Sequence, residues 1–183
     1  MARSSNTETK LKKARHLAAS NRLEEACELY TRLLRKHPQN LHVALELAVV
    51  YRQLGRLKDA IQLAESALRV DPVSPAALHI SGSVLHRQGH LREACERYRK
   101  ALILDNSNIE AHYFLANALR ELGTADAAEN EYRNVLALEP DHIDSLNHLS
   151  ALLTRRGQNR DAAKLLKPAP ALQPDAPHSP LNL

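Results

Sequence analysis

Residues 109 to 142 read IEAHYFLANALRELGTADAAENEYRNVLALEPDH, and this stretch decides the fold. It holds two helix-length apolar patterns, divided at Gly123 and closed at Pro140. Glycine accepts the left-handed backbone that ends many helices, and a proline just past a helix cannot continue it. The stretch is therefore a helical hairpin. Steps of 34 residues in either direction find the same arrangement again, with frames opening at Thr7, Leu41, Pro75, Ile109 and Ile143. Five units follow one another without insertion, after a leader over residues 1–6 and ahead of a seven-residue remainder.

The recurring columns say what each unit does. Gly55, Gly89, Gly123 and Gly157 recur 34 apart with Asn21 in the equivalent first place, so this column is the turn ending each first helix. Five residues later stands an alanine column, Ala26, Ala60, Ala94, Ala128 and Ala162, which implies a close helix crossing in every unit. Ala14, Ala48, Gly82, Ala116 and Ser150 form a second small-residue column. Bulk comes from Leu17, Tyr51, Leu85, Leu119 and Leu153 on the first helices and from Tyr30, Tyr98, Tyr132 and Leu166 on the second, with Ala64 a smaller exception. Each such burial is worth about 1.5 to 3 kcal/mol, which outweighs ordering entropy only when units share a core. Asn40, Ser74 and Asn108 stand where N-caps are needed, and Pro75 suits the first turn after Ser74. Pro38, Pro72, Pro140 and Pro174 close second helices, with Asn106 replacing proline once.

The pattern resembles the tetratricopeptide repeat family, whose units pair a small residue and a glycine turn in the first helix with an alanine, an aromatic and a closing proline in the second. The resemblance covers Thr7 to about Lys167 and implies an all-α, right-handed superhelical solenoid of five helix-turn-helix units, near 7–40, 41–74, 75–108, 109–142 and 143–167. The aromatic that usually opens the repeat is missing, since Lys10, Ala44, Leu78, His112 and Leu146 stand there. First-helix packing then rests on Leu47, Leu115 and Leu149, with the more divergent first unit as the N-terminal cap.

Pro168 and Pro170 fall inside the last second helix, which is predicted to stop near Lys167. Residues 168–183, PAPALQPDAPHSPLNL, read as an extended or disordered tail. The last unit shows no polar cap of the kind solenoids need. Three expectations follow: self-association through the open end, a tail folded over it, or a sequence cut from a longer protein.

Composition bounds the function. The 183 residues are 44% apolar and 25% charged, enough for a continuous core and incompatible with a disordered or disulfide-stapled chain. No run approaches the roughly 18 to 20 apolar residues of a membrane span, and Met1 to Lys13 has no apolar signal region, so a cytoplasmic protein is expected. The net charge of +4 is spread over 25 basic and 21 acidic residues, and the clusters Lys10, Lys12, Lys13, Arg15 and Arg97, Arg99, Lys100 read as solvated faces, which argues against a nucleic-acid partner.

The resemblance places function in the concave surface lined by first helices, where the family binds peptide segments of other proteins. The stripe next to the core columns contains Leu45, Val49, Arg52, His79, Ile80, Ser83, His86, Arg87, Tyr113, Phe114, Asn117, Arg120, Asn147, His148 and Arg155. Of six aromatics, Tyr30, Tyr51, Tyr98 and Tyr132 belong to core columns, whereas the adjacent pair Tyr113 and Phe114 does not. With Leu45, Val49 and Ile80 they make a partly apolar floor, and Arg52, Arg87, Arg120 and Arg155 form a rim. The expected partner is a peptide with an apolar anchor and an acidic residue. The alternative for the aromatic pair is packing between successive first helices.

Two family devices are absent. Leu11, Arg15, Glu46, Ala76 and Ile80 stand where the Lys, Asn and Arg carboxylate clamp for chaperone tails is sought, and the asparagine ladder of O-GlcNAc transferases is reduced to Asn117 and Asn147. Catalysis has little support. His86 and His90 are separated by Gly89 and lack a third metal ligand, and there is no phosphate loop or activated nucleophile, so neither cofactor nor metal is expected. Cys27 and Cys95 share a column two units apart, roughly 20 Å at 8 to 10 Å per helix layer, which is beyond bridging distance. The reading is a non-enzymatic adaptor. The alternative is the N-terminal interaction or targeting module of a longer enzyme such as a transferase, and RNA binding ranks third because no base-reading pair recurs at fixed positions.

Overall fold

The computed structural model describes residues 2–165. Ten helices follow in order: α1 Ala2–Ala19, α2 Leu23–Lys36, α3 Leu41–Gln53, α4 Leu57–Val70, α5 Pro75–Arg87, α6 Leu91–Leu104, α7 Ile109–Glu121, α8 Ala125–Leu138, α9 Ile143–Arg155 and α10 Asn159–Leu165. No strand occurs among the described residues. Consecutive helices pair as antiparallel hairpins, each hairpin packs on the next, and α5 also touches both α3 and α7. The first helices thus lie along one side of a helical solenoid. Leu166, the predicted stop near Lys167, Pro168, Pro170 and the tail 168–183 lie outside the described residues.

The turn column does what its residue types dictate. Asn21, Gly55, Gly89, Gly123 and Gly157 have φ between 58° and 82°, the left-handed region. Each is followed within a few residues by the second helix of its hairpin. The alanine column is buried throughout, at 0% exposure for Ala26, Ala60, Ala94 and Ala128 and 4% for Ala162, so helix axes approach closely at every crossing.

Gly82 has a more specific task. A Cβ there would sit 2.8 Å from the Tyr98 ring, so its absence lets that ring lie flat against α5. Three tyrosines at the same register, Tyr30, Tyr98 and Tyr132, are buried to 2% exposure or less and anchor their hairpins. Tyr51 departs from the core reading: it is half-buried, with the Arg56 guanidinium 4.3 Å above its ring. Asn40 and Asn108 cap α3 and α7, accepting from the Val43 and Ala111 amides at 3.1 and 2.9 Å. Ser74 makes no capping bond, and His142 caps α9 instead, its Nδ1 accepting from the Ser145 amide at 3.2 Å.

Polar side chains tie neighbouring layers together. Glu65 on α4 accepts from Ser81 on α5 and from Arg97 on α6, both at 2.9 Å. His112, where the repeat usually has its opening aromatic, is 4% exposed. Its Nδ1 lies 2.6 Å from Glu131 on α8, and its Nε2 lies 3.1 Å from the Asn106 carbonyl. The ring therefore replaces an apolar plug with a polar bolt between α7, α8 and the preceding turn.

Candidate functional site

A cleft of about 310 Å³ is lined by Arg52, Ser83, His86, Arg87, Tyr98, Phe114, Asn117, Arg120, Glu121 and His148. These come from α3, α5, α6, α7 and α9, so the cleft spans four consecutive units. Helical periodicity explains the set: Ser83, His86 and Arg87 occupy one face of α5, and Phe114, Asn117, Arg120 and Glu121 the equivalent face of α7.

Eight of the residues singled out from sequence meet in this cleft: Arg52, Ser83, His86, Arg87, Phe114, Asn117, Arg120 and His148. Leu45 and Val49 are half-buried and pack on the core between α3 and α5. Ile80 corrects the sequence reading, because it is only 3% exposed and belongs to a core cluster with Ala48, Ala60, Ala64 and Val84. The physical reason is Ala64, which stands where other units carry tyrosine or leucine, so Ile80 fills the space instead of facing the trough. Arg155 and Asn147 are exposed and do not line the cleft.

The aromatic pair serves packing and surface together. Phe114 lines the cleft, stacks at 6.0 Å and 20° on Tyr98, and meets the His79 ring edge-on at 5.3 Å. Tyr113 is half-buried, 5.4 Å from Phe114, 5.0 Å from His142 and 6.2 Å from His148. The result is a row of rings running along the first helices. Burial lowers the pKa of His79, with Glu110 opposing and Arg52 reinforcing the shift. Burial lowers that of His148 too, with Arg120 adding to it. Both favour the neutral ring.

Positive charge in the cleft is incompletely matched. Arg52 donates to the Ser83 hydroxyl at 3.0 Å, and Arg87 donates to the Arg52 carbonyl at 2.6 Å. Among the described residues neither forms an ion pair. Burial pulls the Arg52 pKa down, and neighbouring Arg87 pulls the same way. The one acidic lining residue, Glu121, lies 3.8 Å from Arg120 and 3.1 Å from His86. Three guanidinium groups thus share a single lining carboxylate, with Glu110 acting on Arg52 from farther off.

The sequence reading missed two members, Glu121 and Tyr98. Tyr98 belongs to a core column and is 0% exposed, yet it lines the cleft and its hydroxyl has no hydrogen-bond partner. The signal that could have found it is positional, since a second-helix tyrosine facing Gly82 can pass across the first helix toward the trough. Elsewhere, His86 faces Glu121 while His90 lies 3.8 Å from Glu93, so the two rings point to different partners. Cys27 and Cys95 are buried free thiols, and burial pushes the Cys95 pKa up, which disfavours the reactive thiolate. Among the described residues no three His, Cys, Asp or Glu side chains group for metal binding, and no helix is long and apolar enough to cross a membrane.

Known proteins agree with this architecture. Three family models match: a tetratricopeptide repeat over residues 11–75, a TPR repeat over 82–123 and a tetratricopeptide repeat over 119–179. No curated protein sequence matches significantly. Among solved structures, the crystal structure of MamA protein is 21% identical with a TM-score of 0.74, covering 88% of each chain. MamA 41-end from Desulfovibrio magneticus RS-1 is 16% identical with a TM-score of 0.76, covering 87% of this chain and 90% of that one. A tetratricopeptide repeat protein from Parabacteroides merdae is 21% identical with a TM-score of 0.72, covering 88% of this chain and 64% of that one. At these identities the likeness is one of fold. With the family models matched in succession along the glycine and alanine columns, the chain belongs to the tetratricopeptide repeat family.

Proposed function

We propose that this chain is a non-catalytic protein-interaction scaffold whose trough takes a peptide segment of a partner, with an apolar side chain set against Phe114 and an acidic residue near Arg52, Arg87 and Arg120. The observation that carries the reading is the surplus of guanidinium groups around a half-exposed aromatic floor within one cleft. An apolar side chain gains from covering the Phe114 ring, while the arginines orient an acidic group and speed its encounter. The likeness to MamA supports the scaffold and says nothing of the ligand.

Selection from a random peptide library displayed against the intact chain tests it. Enriched peptides are expected to combine an apolar residue with Asp or Glu, and to bind at least about tenfold more weakly to Phe114→Ala and Arg120→Ala, a loss typical of interface anchors. Thermal melts confirm that the variants remain folded. Enrichment without that composition, or affinity unchanged in both variants, overturns the proposal.

A further inference from the structure

The tyrosine register column exposes an inequality between two adjacent units. Tyr98 and Tyr132 stand 34 residues apart, each crossing toward the first helix of its own unit. The Tyr132 hydroxyl donates to Asn117 Oδ1 at 2.6 Å. The residue one unit earlier than Asn117 is Ser83, which is shorter and already engaged: its hydroxyl donates to the Ile80 carbonyl and accepts from Arg52, both at 3.0 Å. Tyr98 therefore keeps a buried hydroxyl with nothing to bond.

A second unpartnered group lines the same cleft. Arg120 Nε is buried without a hydrogen-bond acceptor, while the rest of its guanidinium interacts with the Tyr132 hydroxyl and lies 3.8 Å from Glu121. A guanidinium N–H can only donate, and a tyrosine hydroxyl at neutral pH has a proton to give, so both call for an acceptor. Burial pushes the Tyr98 pKa up, which keeps that proton in place. With Arg52 and Arg87 adding positive charge that no ion pair among the described residues matches, the complementary group is an oxyanion. The Tyr98–Phe114 stack gives the cleft a flat apolar wall suited to the methylenes of an acidic side chain.

We infer that the Tyr98 hydroxyl and Arg120 Nε form an oxyanion seat that receives the side-chain carboxylate of a Glu or Asp in the docked segment. The inference rests on the scaffold reading for the source of the carboxylate, but the seat itself can be probed without any partner.

The experiment is an NMR titration of the intact chain, following the Arg120 Nε–Hε cross peak and the Tyr98 ring resonances. The probes are N-acetyl-glutamate methylamide, its glutamine counterpart and inorganic phosphate. The glutamate probe is expected to move both signals to saturation, and the glutamine probe to move neither. Tyr98→Phe keeps the ring stack and removes only the hydroxyl, so it is expected to weaken the glutamate response at Arg120 by about tenfold or more, as for loss of one hydrogen bond to a charged group. Equal responses to glutamate and glutamine, or a glutamate response untouched by Tyr98→Phe, overturn the seat. Phosphate saturating at lower concentration than glutamate overturns its assignment to a carboxylate. A seat that responds as expected while the library yields no peptide overturns the scaffold reading alone. Library peptides that bind without preferring Glu over Gln leave the scaffold standing and overturn the seat.

Discussion

Gly82 sets the geometry of the third unit, because the space its Cβ would fill is held by the Tyr98 ring at 2.8 Å. Gly82→Ala is expected to destabilise the protein by about 1 to 3 kcal/mol through overpacking, read as a lower urea midpoint with an unchanged slope. Combining it with Tyr98→Leu, which takes away the ring, is expected to shrink that penalty; a penalty of the same size in both backgrounds would rule out the ring as its cause. The neutral histidines make a second prediction at this scale. His79 and His148 have pKa values lowered by burial, so the folded state binds fewer protons than the unfolded one as pH drops below the free-histidine value of about 6.5. Stability should be full above that pH and fall as acidification proceeds toward the folded-state values. Melting temperatures compared at neutral and mildly acidic pH should show a smaller acid loss in a His79→Gln, His148→Gln double variant than in the parent. Gly82 was legible in the sequence as a member of a small-residue column, but the identity of the group pressing on it was not, since that depends on how far the second helix rotates about its own axis.

At the scale of the element, helix caps separate what residue type alone reveals from what local geometry decides. Asn108 accepts from the Ala111 amide, whereas Ser74, an equally good cap by type, makes no side-chain capping bond at φ −65° and ψ 110°. Asn108→Ala should therefore cost about 1 kcal/mol, and Ser74→Ala should stay within about 0.5 kcal/mol of the parent. Chemical denaturation of the two variants side by side checks the contrast. The turn and alanine columns were fully legible because each imposes one backbone or spacing demand that few residue types meet. The trough was legible in part. Arg52, Arg87 and Arg120 are fixed by register, but Ile80 moved into the core because a neighbouring helix offers Ala64 where bulk was needed. A face assigned from one helix's periodicity carries no knowledge of the size of its neighbour's side chains.

Over the whole molecule, the core is divided along the solenoid. A large apolar cluster runs from Leu85 to Ala162, a separate one gathers Ala14 to Val50, and smaller groups around Ala48 and Ala67 lie between them. Stability in such a stack is close to a sum of unit and interface contributions. Amide exchange should accordingly be slowest in α5 to α8, which have packed hairpins on both sides, and faster in α1 and α10, whose outer sides carry no further described hairpin. Uniform protection across all ten helices would contradict this picture of neighbour-only cooperation.

The same neighbour-only contact has a mechanical consequence. Tension applied between the two ends of the described stack passes through every hairpin interface in turn, like load through links of a chain, with no strand pairing among the described residues to share it. Extension should then proceed by hairpins peeling away one after another at similar low forces, and the spacing of those events would report the 34-residue unit directly.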